Sequence, residues 1–160
     1  QQKMKLRRKR EGKTDYKKRL GLIKSEKPRL VVRKLSRMIT AQIIKYEADG
    51  DKTLVTTTSK EIAKLGYQGN RKNTPAGYLV GLIIAKKAQK AGITEVVPDI
   101  GFHAPSKGAT IFSVLKGTKD GGLKMNLDEK ILPTQERLYG EHISPELAKK
   151  VRETKEKLKQ

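Results

Sequence analysis

The sequence predicts a single α/β domain: an antiparallel meander extended by a crossover strand, packed with helices, between a basic N-terminal arm and a C-terminal helical extension. Three observations predict this class. Two short apolar, β-branched runs, Leu30, Val31 and Val32 and then Ile39, Ala41, Ile43 and Ile44, flank a polar break at Ser36 and Arg37, the pattern of a hairpin. A long helical pattern follows at residues 74–91, with Leu79, Leu82, Ile83 and Ala88 on one face and Gly92 as its stop. A further strand-like run, residues 94–100, comes directly after that helix, and strand, helix, strand in that order makes a right-handed crossover the default.

Taken in order, residues 1–13 form a basic arm with almost no apolar side chains, expected to stay disordered until phosphates neutralise it. Residues 14–24 read as a short helix: Thr14 or Asp15 supplies a cap, and Tyr16, Leu20 and Ile23 recur at helical spacing. In the hairpin, Arg29, Arg33, Lys34 and Arg37 cluster along the first strand and its turn, where their heads are expected to reach solvent while the apolar runs face a core. Asp49-Gly50 is a tight-turn signal leading to a third antiparallel strand at residues 53–58. Ser59 offers a hydroxyl cap to a short helix ending at Leu65, with Ile62 where a capping box has Glu. The loop GYQGNRKNT, residues 66–74, carries Arg71, Lys72 and Asn73 to the start of the long helix, where Pro75 suits the first turn. Pro98 lacks a ladder donor, so its strand ends early or lies where that loss is harmless. A second helix at residues 109–119 points Ile111, Phe112 and Leu115 at the sheet and is broken by Gly117, Gly121 and Gly122. Residues 123–143 look irregular. From Ser144 a terminal helix has only a thin stripe of Leu147, Val151 and Leu158, enough to dock lightly or to wait for a partner. The resulting division is an arm at 1–13, a domain at 14–143 and a helix at 144–160.

Charge then narrows the function. In 160 residues, 37 Lys and Arg stand against 17 Asp and Glu, a net charge of +20, far beyond what solubility requires. Between Lys3 and Arg37 alone, sixteen basic residues less three acidic ones leave +13. A polyanion is the natural partner. The chain has no Cys, hence no disulfide framework and no thiolate nucleophile, which fits a reducing compartment. Its longest apolar run, residues 79–85, is too short to span a bilayer, and residues 1–10 lack an apolar leader core, so neither membrane nor secretion is expected. His103 and His142 have no nucleophile elbow, HExxH motif or acidic cluster around them, so no catalytic residue, metal site or cofactor is expected. Neither GTKDGG nor GYQGNRKN has the spacing of a nucleotide-binding loop. With no helix-turn-helix, zinc finger or basic zipper, and few aromatics for a stacking platform, the expected ligand is structured RNA held through its backbone and shape. A free-standing basic RNA chaperone or nucleoid-type binder is the alternative that charge alone leaves open.

RRKREGKTDYKKRL, KPRLVVRKLSRMITAQI, NTPAGYLVGLIIAKKAQKAGI, VVPDIGFHAPSKGATIFSVLKGTKDGGL and ILPTQERLYGEHI resemble, in order and over about residues 5–143, successive blocks of the large-subunit ribosomal protein family numbered eighteen, archaeal type. The resemblance implies an α/β layer fold and a structural, cytoplasmic role in the large ribosomal subunit. Its implied partners are 5S rRNA, large-subunit rRNA and neighbouring ribosomal proteins of the central protuberance. Carried over by motif, the RNA-facing residues would be Lys5, Arg7, Arg8, Lys9, Arg10, Lys13, Thr14, Asp15, Tyr16 and Arg19 of the arm and first helix, Arg29, Arg33, Lys34 and Arg37 of the hairpin, and Arg71, Lys72 and Asn73 of the loop. Pro98 departs from the hydrophobic residue expected before Asp99.

Overall fold

A computed structural model describes residues 4–159; the first three residues of the expected arm, Lys3 among them, and Gln160, at the end of the expected terminal helix, lie outside the described residues. The sheet starts from the hairpin. β1 (Arg29–Lys34) pairs antiparallel with β2 (Ile39–Lys45), and β2 pairs antiparallel with β3 (Lys52–Thr58). β4 (Val97–Asp99) returns alongside β1 in parallel, giving the order β3-β2-β1-β4 of a meander extended by a crossover strand. Pro98 is tolerated for a simple reason. The Val97 N–H donates inward to the Pro28 carbonyl, so by alternation the donor missing at Pro98 faces outward on an edge strand.

Period-two alternation sends Leu30, Val32, Ile39, Ala41 and Ile43, all fully buried, to one face of the sheet. That face is covered by α4 (Thr74–Lys90), buried almost all round as far as Ala85, and by α5 (Thr110–Asp120), which packs against α4. Gly117 was expected to break the second helix, yet it lies inside α5. It is there because the two helices cross backbone to backbone: a Cβ on Gly117 would collide with the Tyr78 carbonyl, and one on Gly81 with the Val114 carbonyl. The loss of helix propensity at one Gly, about 1 kcal/mol, is smaller than the packing that the close approach permits.

The other helical segments after β3 depart from the expectations drawn from pattern. α3 (Glu61–Lys64) is not capped by Ser59, whose Oγ instead accepts from the Ile39 N–H at 3.1 Å, while Glu61 Oε1 accepts from the Thr58 N–H. The supposedly irregular stretch contains a 3-10 turn at Glu129–Ile131 and α6 (Gln135–Tyr139). The terminal α7 (Pro145–Lys159), capped by Ser144 Oγ, docks more firmly than its stripe suggested. Leu147, Ala148, Val151 and Thr154 are all buried, with α4 and α6 as its packing partners. Lys155 Nζ donates to Tyr139 Oη at 2.9 Å and sits 5.4 Å from the ring centres of both Tyr78 and Tyr139.

At the other end of the chain, α1 (Arg7–Arg10) is a single helical turn with nothing buried. α2 (Tyr16–Ile23) is capped by Asp15, whose carboxylate accepts from the Lys17 and Lys18 N–H groups. α2 also buries none of its residues; Leu20, expected on its apolar stripe, is 58% exposed.

Candidate nucleic-acid interface

The predicted site residues separate into two places, one where the cations are mostly paired with carboxylates and one where they are not. The first is a cleft of about 650 Å³ between α2 and the second face of the sheet. Arg29 and Arg33, at alternate positions of β1, face this side, as do Val31 and, from β2, Gln42 and Ile44. Arg29 was expected to reach solvent. Instead its side chain is 5% exposed, with Nη1 donating to Asp99 at 3.0 Å and Nη2 to Asp51 at 2.7 Å. Arg33 Nη2 also donates to Asp99, at 3.2 Å, and its Nη1 donates to the Val32 and Asp99 carbonyls. Arg19 of α2 reaches Asp51 at 2.9 Å and so ties the helix to the sheet. Three guanidiniums meeting two carboxylates leave one net positive charge, a network that organises the fold more than it attracts an anion. Gly101, at φ +62°, turns the chain beside this network; a Cβ there would press on the Arg33 guanidinium.

The second place is a groove of about 680 Å³ on the hairpin-turn side, lined by Ser36, Arg37, Met38, Lys60, Gly69, Asn70, Arg71 and Lys72. No carboxylate lines it, and among the described residues none of its four cationic side chains makes an ion pair or hydrogen bond. Each comes from a braced segment. The hairpin turn is closed by the Leu35 N–H donating to the Met38 carbonyl at 2.8 Å. The clasp between Ser59 and Ile39, made in both directions, carries Lys60 against that turn. Asn70 Oδ1 accepts from the Lys72 N–H, Tyr67 is buried beneath the loop, and Lys150 of α7 donates to Gln68. Four unneutralised cations on stiff backbone hold a fixed spacing, which suits a run of phosphates better than a flexible tail does.

The remaining predicted residues lie as follows. Asn73 is the N-cap of α4: its Oδ1 accepts from the Ala76 N–H and the Tyr67 hydroxyl. Lys34 Nζ donates to Thr110 Oγ1. On the arm, Lys5, Arg7, Arg8, Lys9, Arg10 and Lys13 are exposed, and Thr14 and Tyr16 are half-buried. Arg7 and Lys13 both pair with Glu11, and their hydrogen bonds hold its carboxyl below the usual range. Arg8 Nε donates to Thr14 Oγ1 at 2.9 Å. His103, next to Arg33 and Lys34 in the loop after β4, has its pKa lowered by partial burial and by those two charges. Lys60 was missed in the sequence, because an isolated lysine at a helix start carries no signal of what it will face, and Lys18, at the cleft rim, lies in the run Lys17-Lys18-Arg19, of which only Arg19 was singled out. Among the described residues no cluster of His, Cys, Asp and Glu could hold a metal, and no helix is long and apolar enough to cross a membrane.

Residues 1–97 match a family model described as ribosomal large subunit proteins 60S L5, and 50S L18. The chain is 49% identical over 138 residues to the large ribosomal subunit protein uL18 of Methanoregula boonei, an overlap of 86% of this chain and 79% of that protein. It is 50% identical over 137 residues to uL18 of Methanococcus maripaludis, covering 86% of this chain and 71% of the other.

Proposed function

The chain belongs to the uL18 family of large-subunit ribosomal proteins, archaeal type, and from that premise we propose that it binds 5S rRNA and helps attach it to the large-subunit rRNA in the central protuberance. Membership makes it a structural constituent of the large subunit, an RNA-binding protein of translation and not an enzyme. The observation that carries the finer reading is the groove of Arg37, Lys60, Arg71 and Lys72: a stiff, unneutralised cation array, where the guanidiniums of the cleft on the same hairpin are largely taken up by Asp51 and Asp99. Charge on a flexible arm follows any phosphate path, whereas charge at fixed separation distinguishes one RNA shape from another. The arm, Lys5 to Lys13, supplies general phosphate affinity, and the groove supplies selectivity. Binding of 5S rRNA in competition with transfer RNA, at near-physiological salt, tests this. Clear preference for 5S rRNA is the expected result, and equal affinity for the two would overturn it.

A further inference from the structure

We propose that the groove of Arg37, Lys60, Arg71 and Lys72 continues into a second subsite at the start of α7, which takes the base of an unpaired nucleotide whose phosphate lies in the groove. The proposal rests on the reading of the chain as a 5S rRNA binder and deepens it by naming what lies beyond the phosphates. The subsite is a recess of about 470 Å³ between the loop before α4 and the first turn of α7, and it shares Gly69 and Asn70 with the groove. Its walls meet directly. A Cβ on Gly69 would collide with the Tyr67 side chain and with Leu147 of α7, so the loop lies against the helix and groove and recess keep a fixed relation.

Three side-chain amides line the recess, each with its oxygen already engaged. Asn70 Oδ1 accepts from the Lys72 N–H at 3.0 Å, Asn73 Oδ1 from the Ala76 N–H at 3.0 Å, and Gln68 Oε1 from Lys150 Nζ at 2.8 Å. Those partners only donate, which settles the orientation of each amide and leaves its NH2 as the open end. Among the described residues none of the three NH2 groups has an acceptor. Glu146 supplies the opposite function. Lys150, its natural i,i+4 partner, is drawn off to Gln68, and among the described residues the Glu146 carboxylate makes no ion pair or hydrogen bond.

Charge then separates the two parts of a nucleotide. Glu146 and Lys150 are the charged side chains of the recess and cancel, whereas the groove carries four cations and no carboxylate. A phosphate is drawn to the groove and repelled by Glu146. A base is neutral, its carbonyl oxygens and ring nitrogens accept from the amides, and its N–H groups donate to Glu146. Ile143, 51% exposed, gives its ring an apolar side to lie against. Water satisfies the amides alone; a base also covers the isoleucine.

Glu146→Ala gives the sharpest test, because it makes the protein more positive. If the carboxylate faces a phosphate, a neighbouring protein or solvent, the variant binds RNA as tightly as wild type or more tightly. If a base donates to it, affinity for 5S rRNA falls by about tenfold, the worth of a hydrogen bond to a charged acceptor, with the wild-type salt slope. Gln68→Met removes a donor without changing charge and should weaken binding in the same way. Both positions are exposed, and unchanged thermal unfolding checks that α7 stays docked. Base-specific modifying reagents identify the nucleotide: one unpaired base that wild type protects becomes reactive in both variants. Losses under about threefold, tighter binding by Glu146→Ala, or protections identical to wild type overturn the proposal. If wild type itself shows no preference for 5S rRNA over transfer RNA, the functional reading has failed. Wild-type preference with Glu146→Ala binding at least as tightly refutes the base subsite alone.

Discussion

Asp99→Ala should be among the most destabilising single changes outside the apolar core. Asp99 is 8% exposed, and its carboxylate accepts from Arg29 Nη1 at 3.0 Å, Arg33 Nη2 at 3.2 Å and the Gly101 N–H at 3.0 Å. Removing one partner of a buried pair costs about 3–5 kcal/mol, because the other charge stays buried without compensation. Arg29 keeps Asp51, which places the effect at the low end; Arg33 is 36% exposed and rehydrates, adding under about 1 kcal/mol. The expected loss is therefore about 3 kcal/mol, a fall in Tm of roughly 6–12 °C at about 2–4 °C per kcal/mol for a chain of this size. Thermal and urea unfolding followed by circular dichroism measure it. Glu95→Ala is the control: its pair with Lys27 has both side chains 45% exposed, so less than about 1 kcal/mol is expected. The double change Arg29→Leu with Asp99→Leu should be less destabilised than Asp99→Ala alone, since it removes the stranded charge with its partner. If Asp99→Ala lies within about 1 kcal/mol of wild type, or the double variant is worse than the sum of its parts, the network is not the buried structural unit described above.

In the groove, Lys60→Ala with Arg71→Ala should leave thermal unfolding unchanged and lower the slope of log affinity against log salt by roughly 0.7–0.9 for each phosphate that is no longer neutralised; an unaltered slope places those phosphates elsewhere. Gly117→Ala forces the α4–α5 crossing apart where a Cβ meets the Tyr78 carbonyl, and a loss of about 1–3 kcal/mol in urea unfolding is expected; a neutral or stabilising result would contradict the close approach. Because burial, Arg33 and Lys34 depress the pKa of His103 below its ordinary 6.5, the unfolded chain binds that proton more readily. The stability involved is present above pH 6.5 and is lost as pH falls through that value toward the folded-state pKa, so unfolding midpoints compared between wild type and His103→Gln should converge as pH drops below about 6. Parallel pH profiles for the two proteins would refute this.

Much of the fold was legible because its signals are local. The apolar, β-branched runs at residues 30–32 and 39–44 specify a hairpin, Pro75 suits the first turn of α4, and Gly92 stops it, each through chemistry within a few residues of the position it governs, whereas the Asn73 cap emerged only in the structure. The net charge of +20 specifies a polyanionic partner without reference to any fold. The motif blocks between residues 5 and 143 were sufficient to indicate the family. Which cations remain unneutralised was a different matter. Arg29, Arg33 and Arg37 look alike in the sequence, but the carboxylates that occupy the first lie 22 and 70 residues away, at Asp51 and Asp99, while nothing acidic among the described residues reaches the third. Lys60 joined Arg71 only because Ser59 is clasped to the hairpin. Gly117 stayed within its helix because the backbone of α4 needs the space a side chain would fill. Ion pairs and close packing act over a few ångströms of space and have no period along the chain, so residue types and their spacing determined the elements and the kind of partner, and only the packed structure decided which charges were left to meet it.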